Sequence, residues 1–373
     1  MAGGTGRLSG SGRRWGVVAL GLVSVVVVGL VGAAPAGAGQ PGNAYHQTNL
    51  VSDLAGLAQL TDPDLVNPWG MAAGPTTPVW VADNGTDKAT LYPGFVNGSP
   101  ITKAGLVVTI PGGAPTGQVF NPTAGFVVRS GAASGPARFL FDAEAGLVTG
   151  WNPGVPPPPT STQAQVGATV AGAIYKGLAM ATTPAGTLLY GADFHHGRID
   201  VFDPNFDPVQ LPGRFRDPAI PAGFAPFNIQ ELGGLLYVAY AKQDAEGEDE
   251  VAGPALGFVD VYRSDGQLLR HLIEHGQLNA PWGLVLAPAA GFGRFSGALL
   301  VGNFGNGRIN AYDPGSGEFL GRLRGEDGRP IQIEGLWALR FGNGVTGTPT
   351  TLLFTAGIDD AAHGLFGAIE AAS

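Results

Sequence analysis

The segment Asn279-Ala280-Pro281-Trp282-Gly283-Leu284 is followed by Leu299-Leu300-Val301-Gly302-Asn303 and then by Arg308-Ile309-Asn310-Ala311-Tyr312. Short runs of Val, Leu, Ile and Tyr separated by Gly, Asn and Pro are typical of strands joined by tight turns. The same order of segments begins earlier in the chain, at Asn67-Pro68-Trp69-Gly70. The pattern therefore predicts a repeated β-sheet unit.

This unit recurs six times along the chain. When one small or polar residue of each copy is taken as equivalent, the spacings are 55, 52, 51, 55 and 52 residues. Units of about 50 residues with some four strands are typical of β-propeller blades. We therefore predict an all-β fold, a six-bladed β-propeller of TolB/NHL-like type. The equivalent residues are Gly70, Gly125, Gly177, Asn228, Gly283 and Gly335.

The two ends of the chain together complete the last unit. Only 38 residues follow Gly335, which suffices for three strands but not for four. The segment from Tyr45 to Leu54 precedes the first unit, and we predict that it adds the outer strand of the last blade, which closes the ring and protects a sheet edge. We expect Trp69, Trp282 and Trp337 to pack as core between neighbouring blades.

The first 38 residues have the layout of a secretory signal. Arg7, Arg13 and Arg14 precede an uncharged run over residues 16–34, and small residues follow to Ala38. We predict cleavage after Ala38, with a retained membrane anchor as the alternative. Residues 39–373 then form a single propeller domain that is secreted, periplasmic or held at the cell envelope. The arginine pair leaves Sec and twin-arginine export both open.

Composition restricts the partners of residues 39–373. Removing the first 38 residues takes away three arginines and no acid, so 17 basic side chains remain against 29 acidic ones. An acidic surface repels phosphate backbones, so we expect no nucleic-acid partner. No second apolar stretch has the length of the first, so we expect no membrane association after cleavage. The chain has no cysteine, which excludes thiol catalysis. We expect a monomer.

Several phrases resemble a family of exported bacterial proteins of unknown function. They include Ala241-Lys242-Gln243-Asp244, Val301-Gly302-Asn303-Phe304-Gly305 and His363-Gly364-Leu365-Phe366-Gly367, and the resemblance extends from about Tyr45 to Ile369. Some members carry a C-terminal PEP-CTERM tail recognised by exosortase, and such sorting is not expected for this chain. The resemblance implies an exported six-bladed propeller related to NHL-repeat and gluconolactonase-like folds. It implies no activity.

Propeller topology brings two sets of loops to one face, around the central channel. Oxygen donors in such a ring suit Ca²⁺ or another divalent cation, and the predicted ligands are Glu334, Asn228, Asn67 and Asp193. The alternative is structural, since Asp and Asn side chains bond to nearby backbone in tight turns. The candidates before the innermost strands are Asn67, Asn121, Asn228, Asn279 and Glu334, and those after the second strands are Asp83, Asn84, Asp142, Asp193, His195, Asn303 and Asp359.

Two further features lie in these turns. His195 and His363 occupy corresponding turns, where one could act as a general base or both could be surface residues. The acidic run from Asp244 to Glu250 lengthens the turn of the fourth unit, and it lacks the ligand spacing of an EF-hand. We expect this run to be solvated, with Lys242 neutralising part of its charge.

Three functions remain open on the sequence alone. The first is an extracytoplasmic binding or scaffold propeller whose ligand is a small molecule, a glycan or a peptide at the channel mouth. The second is a divalent-metal-dependent hydrolase or lactonase of gluconolactonase type, in which the metal polarises a carbonyl at the central channel. The third is a structural role at the cell envelope. The sequence does not decide whether the protein is an enzyme, and which residues would be catalytic stays unknown at this point.

Overall fold

The computed structural model describes residues 42–184 and 186–372, so the predicted signal segment lies outside the described residues. Within these ranges the chain is built almost entirely from strands, with short 3₁₀ turns at Asn84–Thr86, Gly293–Phe295 and Phe304–Asn306. In this part of the chain no helical segment has the length and hydropathy that a membrane span requires.

The strands of the first half follow one another at short intervals. They are β1 (Tyr45–Ser52), β2 (Leu60–Thr61), β3 (Pro68–Ala72), β4 (Val79–Asp83), β5 (Lys88–Tyr92), β6 (Val108–Thr109), β7 (Pro115–Phe120), β8 (Val127–Ser130), β9 (Ala133–Pro136), β10 (Phe139–Ala143), β11 (Leu147–Trp151), β12 (Gln165–Thr169), β13 (Tyr175–Thr183) and β14 (Gly186–Asp193).

The second half continues in the same way. Its strands are β15 (Arg198–Phe202), β16 (Phe224–Leu232), β17 (Leu235–Gln243), β18 (Glu250–Val251), β19 (Phe258–Tyr262), β20 (Leu268–Glu274), β21 (Pro281–Leu286), β22 (Leu299–Asn303), β23 (Ile309–Tyr312), β24 (Phe319–Arg322), β25 (Leu336–Phe341), β26 (Leu352–Ile358) and β27 (His363–Ala371).

Six sheets form the blades of a propeller. Each innermost strand packs beside the innermost strand of the next sheet, and β25 packs against β3, so the ring is closed. Counted from the axis outwards, the blades are β3-β4-β5-β6, β7-β10-β11-β12, β13-β14-β15, β16-β17-β19-β20, β21-β22-β23-β24 and β25-β26-β27-β1-β2. The predicted six-bladed fold is confirmed, although the third blade has three strands where the repeat suggested four.

The closure of the ring by the N-terminal strand is confirmed. Strand β1 pairs antiparallel with β27, from Tyr45 opposite Ala371 to Ser52 opposite Leu365. Leu50 and Val51 of β1 are fully buried. The first strand of the propeller therefore completes a blade whose other main strands come from the C-terminal end.

Small residues let the innermost strands approach one another. A Cβ atom at Gly70 would lie 2.5 Å from the carbonyl oxygen of Thr116 in the second blade, and one at Gly117 would collide with the backbone of Gly177 and Leu178 in the third. Real Cβ atoms do not come so close to backbone, so larger side chains here would push the blades apart. Packing between strands this close explains why the repeat carries glycine at this point.

Two of the predicted equivalences are wrong. The innermost strand of the second blade is β7, so Gly117 corresponds to Gly70, and Gly125 lies before an added hairpin of β8 and β9. The polar sequence Thr116-Gly117-Gln118 lacks the apolar signal of the other innermost strands. In the sixth blade, Trp337 takes the tryptophan position, so Ala338 and not Gly335 corresponds to Gly70.

Candidate binding site at the channel mouth

Aromatic rings from four blades fill the central channel. Trp69 stacks on Trp337 with ring centroids 3.5 Å apart, and Trp282 meets them at 6.3 and 6.0 Å. Phe227 packs against Trp337 at 5.9 Å. Contacts between the first and fifth blades and between the fourth and sixth can form only across the axis. The predicted burial of the tryptophans and their packing between neighbouring blades are confirmed, and the rings also meet one another at the axis.

This aromatic plug divides the channel. Further along the innermost strands lies a cavity of about 120 Å³, lined in part by Met71, Leu284 and Arg340. Burial lowers the pKa of Arg340 below its ordinary value. The plug stands between this cavity and the opposite face, where the loops before the innermost strands and the turns after the second strands meet. We call that opposite opening the mouth.

Lys176 is the third-blade counterpart of the plug tryptophans. Only 1% of its side chain is exposed, and its Nζ lies 5.3 Å from the ring centroid of Trp69. It pairs with Glu144 Oε1 at 2.5 Å and with Asp249 Oδ1 at 3.1 Å. Burial opposes the lysine charge, but the attraction of Glu144 and its neighbours outweighs burial and holds the pKa of Lys176 above its ordinary value. A fixed cation therefore sits over the plug, with its charge compensated.

Part of the acidic run folds back towards this lysine. Glu250 lies in β18, which pairs with β17, and burial raises its pKa to about 7 against the opposing effect of Lys176. The expectation of a solvated run is therefore wrong for Glu250, whereas the side chain of Asp249 remains 74% exposed although it pairs with Lys176. Lys242 is exposed and has no ion pair among the described residues, so Lys176 provides the neutralisation. One feature of the sequence could have identified Lys176 as a residue of the mouth: it occupies the position at which three other blades have tryptophan.

A chain of hydrogen bonds joins the plug to the ion pair. The Trp337 indole donates to Asn67 Oδ1 at 3.0 Å, and Asn67 Nδ2 donates to Asn84 Oδ1 at 3.1 Å. Asn84 Nδ2 in turn donates to Glu144 Oε2 at 3.3 Å. Two residues that the sequence placed on the mouth thus do lie together there. Their amide groups hold neighbouring loops in one arrangement.

Beside the plug, the mouth opens into a groove of about 540 Å³ between the fifth and sixth blades. Phe304 lines the groove and stacks on Trp337 with centroids 4.2 Å apart. The exposed carboxylates of Glu334 and Asp360 line it as well, and no lysine or arginine is among its lining residues. We call this feature the Phe304 groove. It places an aromatic face beside two carboxylates that have no cation of their own in the lining.

The four predicted metal ligands lie in different surroundings. Glu334 is in the Phe304 groove, and Asn67 is part of the hydrogen-bond chain. Asn228 is fully buried and donates to the Trp282 carbonyl at 2.7 Å. Asp193 is also fully buried, where its Oδ1 accepts the backbone N–H of His196 at 3.2 Å and its Oδ2 lies 2.7 Å from His196 Nδ1. Among the described residues, none of the four bonds to another. A shared cation at these residues stays a prediction.

Turn residues at the ends of the second strands are buried within their blades. Asp83 accepts a hydrogen bond from Thr90 Oγ1 at 2.8 Å, and Asp142 accepts from Thr116 Oγ1 at 2.9 Å and from the Gly117 N–H at 2.6 Å. Burial raises the pKa of Asp142 to about 7 and that of Asp83 well above its ordinary value. These contacts favour the structural interpretation of both residues.

The two candidate histidines bond to different segments. His195 Nδ1 lies 3.2 Å from the carbonyl oxygen of Gly247, within the acidic turn. His363 Nδ1 lies 2.6 Å from Asp53 Oδ2, in the connection that follows β1. A general base at either position stays a prediction.

The chain has close relatives among curated viral proteins. Uncharacterized protein R648 of Acanthamoeba polyphaga mimivirus is 35% identical over 334 residues, an alignment that covers 86% of this chain and 78% of that protein. The chain belongs to the family of this protein. Uncharacterized protein L690 of the same virus is 33% identical and covers 86% of this chain and 84% of its own length. No family model matches the chain.

Solved structures give weaker similarity. Virginiamycin B lyase from Staphylococcus aureus is 12% identical with a TM-score of 0.44, covering 87% of this chain and 98% of that one. A protein of unknown function from Bacteroides thetaiotaomicron is 12% identical with a TM-score of 0.49, covering 89% and 73%. A putative gluconolactonase is 16% identical with a TM-score of 0.39, covering 69% and 88%. Similarity of this degree carries no inference about activity.

Proposed function

We propose that the protein is a non-catalytic binding propeller that receives a basic side chain of a peptide partner in the Phe304 groove. The observation that carries this proposal is the aromatic face of Phe304 beside Glu334 and Asp360, with no basic residue in the lining. An arginine or lysine placed there would gain a cation–π contact and charge-assisted hydrogen bonds. The excess of acidic over basic residues in the chain also favours a cationic partner.

The groove is built as a rigid surface. Phe304 stacks on Trp337, which itself stacks on Trp69, so the aromatic face cannot move without disturbing the plug. Asp359, Asp360 and Ala361 have positive φ angles of 55°, 52° and 63°. Backbone held in this sparsely populated region is concentrated at ligand sites. A surface that is ordered before binding loses less conformational entropy when the ligand arrives.

The centre of the mouth supports binding more than catalysis. Lys176 is fully paired with carboxylates, and the amides of Asn67 and Asn84 bond to one another and to their neighbours. These groups are therefore occupied in holding the loops, which leaves the groove as the place for a ligand. The alternative function is a divalent-metal-dependent hydrolase or lactonase, which the exposed carboxylate of Glu334 favours, since this carboxylate has no ion pair among the residues that the structure describes.

Export is the remaining part of the proposal. The arginines, apolar run and small residues of the first 38 positions support a partner outside the cytoplasm, in the periplasm, at the cell envelope or in the medium. The resemblance to exported proteins supports the same location. Fractionation of cells that produce the tagged full-length chain tests it, because retention of the whole product in the cytoplasm would contradict export.

Peptide titration tests the proposed binding. Tryptophan emission should respond saturably to the tripeptide Gly-Arg-Gly and not to Gly-Gln-Gly, because Phe304 contacts the plug directly. The double variant Glu334→Gln/Asp360→Asn should weaken binding about tenfold or more. Glu318→Gln/Asp327→Asn makes the same charge change at exposed positions outside the groove lining and should leave binding intact.

Three outcomes would contradict the proposal. Equal affinity for the two peptides would exclude recognition of the basic group. A preference for neutral oligosaccharides over both peptides would make the ligand a glycan. Calcium-dependent hydrolysis of a lactone that Glu334→Gln abolishes would favour the hydrolase.

A further inference from the structure

A cluster of three metal-ligating side chains lies at the outer edge of the fourth blade. Asp260 is on β19, His271 is on β20, and Asp217 lies on the long connector over residues 203–223 that joins β15 to β16. His271 Nδ1 is 2.7 Å from Asp217 Oδ2 and 2.9 Å from Asp260 Oδ1. Within residues 42–184 and 186–372, no other three histidine, aspartate or glutamate residues bring donor atoms within 4.8 Å of one another.

An ion pair alone does not account for this geometry. A protonated Nδ1 carries one hydrogen, which donates well to one oxygen, yet two carboxylates face the same nitrogen. The side chain of Asp260 is fully buried, and only 3% of that of Asp217 is exposed. Two buried carboxylates therefore face at most one imidazolium charge. Buried charge without full compensation is costly.

We propose that Asp217, Asp260 and His271 bind a divalent transition-metal ion. The ion would accept the lone pair of neutral His271 Nδ1 and one oxygen from each carboxylate. Its two positive charges would balance both buried carboxylates. This site is independent of the Phe304 groove, because it belongs to the outer strands of one blade and to the connector.

The second oxygen of each aspartate is held by a neighbour, whereas His271 Nε2 is buried without a hydrogen-bond partner among the described residues. Asp217 Oδ1 accepts the Ala219 N–H at 2.7 Å, and Asp260 Oδ2 accepts the Tyr262 hydroxyl at 3.0 Å. His271 Nε2 faces Glu274 Oε2 at 3.5 Å. Outer partners such as those of Asp217 and Asp260 orient metal ligands in proteins. Asp217 Oδ2, Asp260 Oδ1 and His271 Nδ1 thus face one another, while the second oxygen of each aspartate is occupied by another residue.

The donor set indicates the class of ion. One imidazole nitrogen and two carboxylate oxygens suit Zn²⁺, Mn²⁺ or Fe²⁺, whereas Ca²⁺ takes six to eight oxygens. The side chain of His271 is 23% exposed, so solvent can complete the coordination shell. Bound here, the ion would fasten the connector to the fourth blade. The connector also reaches that blade through backbone bonds at Gly213, Phe215 and Gly223, and the Phe215 ring packs against Tyr262 at 5.2 Å.

Metal titration of the full-length chain tests the site. After chelator treatment and dialysis, calorimetric titration with Zn²⁺ should give one tight equivalent, and Co²⁺ should give a visible absorption band from a protein-bound ion. His271→Gln and Asp217→Asn should each weaken binding at least tenfold. His275→Ala is the matched control, because His275 is exposed, lies close in sequence and is outside the cluster.

The folded state of each variant is checked by circular dichroism before titration. Because Asp217 is on the connector and not in a sheet, Asp217→Asn keeps the test valid if His271→Gln fails to fold. Absence of a stoichiometric ion would overturn the proposal. So would unchanged affinity in Asp217→Asn, or loss of the tight equivalent in a His195→Ala/His196→Ala variant, which would place the ion at that histidine pair.

Discussion

At the scale of single residues, Asp142 makes stability depend on pH in a direction that can be measured. It is fully buried, its Oδ2 has no hydrogen-bond partner among the described residues, and burial raises its pKa to about 7. The folded state therefore keeps a proton that the unfolded state releases above its ordinary pKa of 3.8. Stability from this group is present at low pH and declines as pH rises through that interval.

Asp142→Asn should remove this dependence, because the amide imitates the protonated acid. Relative to wild type, the free energy of unfolding of the variant should rise between pH 4 and pH 7 by roughly 1.4 kcal/mol per pH unit at the steepest point. Urea unfolding across this range measures the difference. Asp327→Asn at an exposed position is the control. Parallel pH profiles for Asp142→Asn and wild type would contradict the assigned pKa.

Trp282 tests the energetic weight of the plug. The side chain is 2% exposed, contacts Trp69 and Trp337, and donates its indole N–H to the Lys176 carbonyl at 2.8 Å. Trp282→Ala should therefore lower the free energy of unfolding by roughly 3–5 kcal/mol. Leu320→Ala, at a side chain that is 38% exposed, should cost well under that amount. Similar losses in the two variants would show that the plug is not a packed core.

Sequence could place some mouth residues and not others, for a physical reason. Asn67 and Asn84 occupy fixed points of the repeat, before the innermost strand and after the second strand, so topology alone brings them to one face. Lys176 was overlooked because its counterparts are aromatic, and only a contact across the axis reveals its role. Asp217 lies in a connector without repeat phase, so nothing in its spacing pointed to His271.

At the scale of strands, a sequence repeat predicts the number of blades more accurately than it predicts the individual strands of each blade. The apolar and glycine signals identify five of the six innermost strands. In the second blade the innermost strand β7 is polar, so the sequence pattern pointed to the apolar hairpin strand β8 in its place. The third blade also lacks an outer strand, and the connector after β15 covers its edge only in part, through the Val209 N–H and the Val201 carbonyl. Outer strands face solvent and have little regular apolar pattern, so the sequence does not show that one of them is absent.

A cross-link between β1 and β27 tests the contribution of ring closure. His46 lies opposite Glu370 in this antiparallel pair, and the chain has no cysteine that could compete. The disulfide in His46→Cys/Glu370→Cys should raise the free energy of unfolding by roughly 2–5 kcal/mol, because it joins residues far apart in the unfolded chain. The reduced form of the same variant is the control. An unchanged urea midpoint on oxidation would mean that separation of β1 is not part of unfolding.

At the scale of the whole molecule, the shared sixth blade joins the first and last parts of the propeller. Packing between β25 and β3 brings the first and sixth blades together, and β1 adds main-chain hydrogen bonds to that closure. The two ends of the described domain meet as well, since the Ala372 N–H donates to the Ala44 carbonyl at 2.9 Å. A short linker can therefore join residue 372 to residue 43 without strain.

Two circular permutants of residues 43–372 test whether the ring needs a blade built from both chain ends, or whether packing between neighbouring blades is enough to close it. Opening the chain at Gly317, between β23 and β24, gives a fifth blade that is again built from both ends. Opening it at Gly276, between β20 and β21, leaves every blade continuous and the ring closed by packing alone. Both positions are turns between strands, so neither cut removes an element.

We expect the Gly317 permutant to melt at a higher temperature and in one transition, because its two ends are held together by hydrogen bonds between strands. Thermal unfolding followed by circular dichroism decides, and equal midpoints would show that contacts between blades suffice to close the ring.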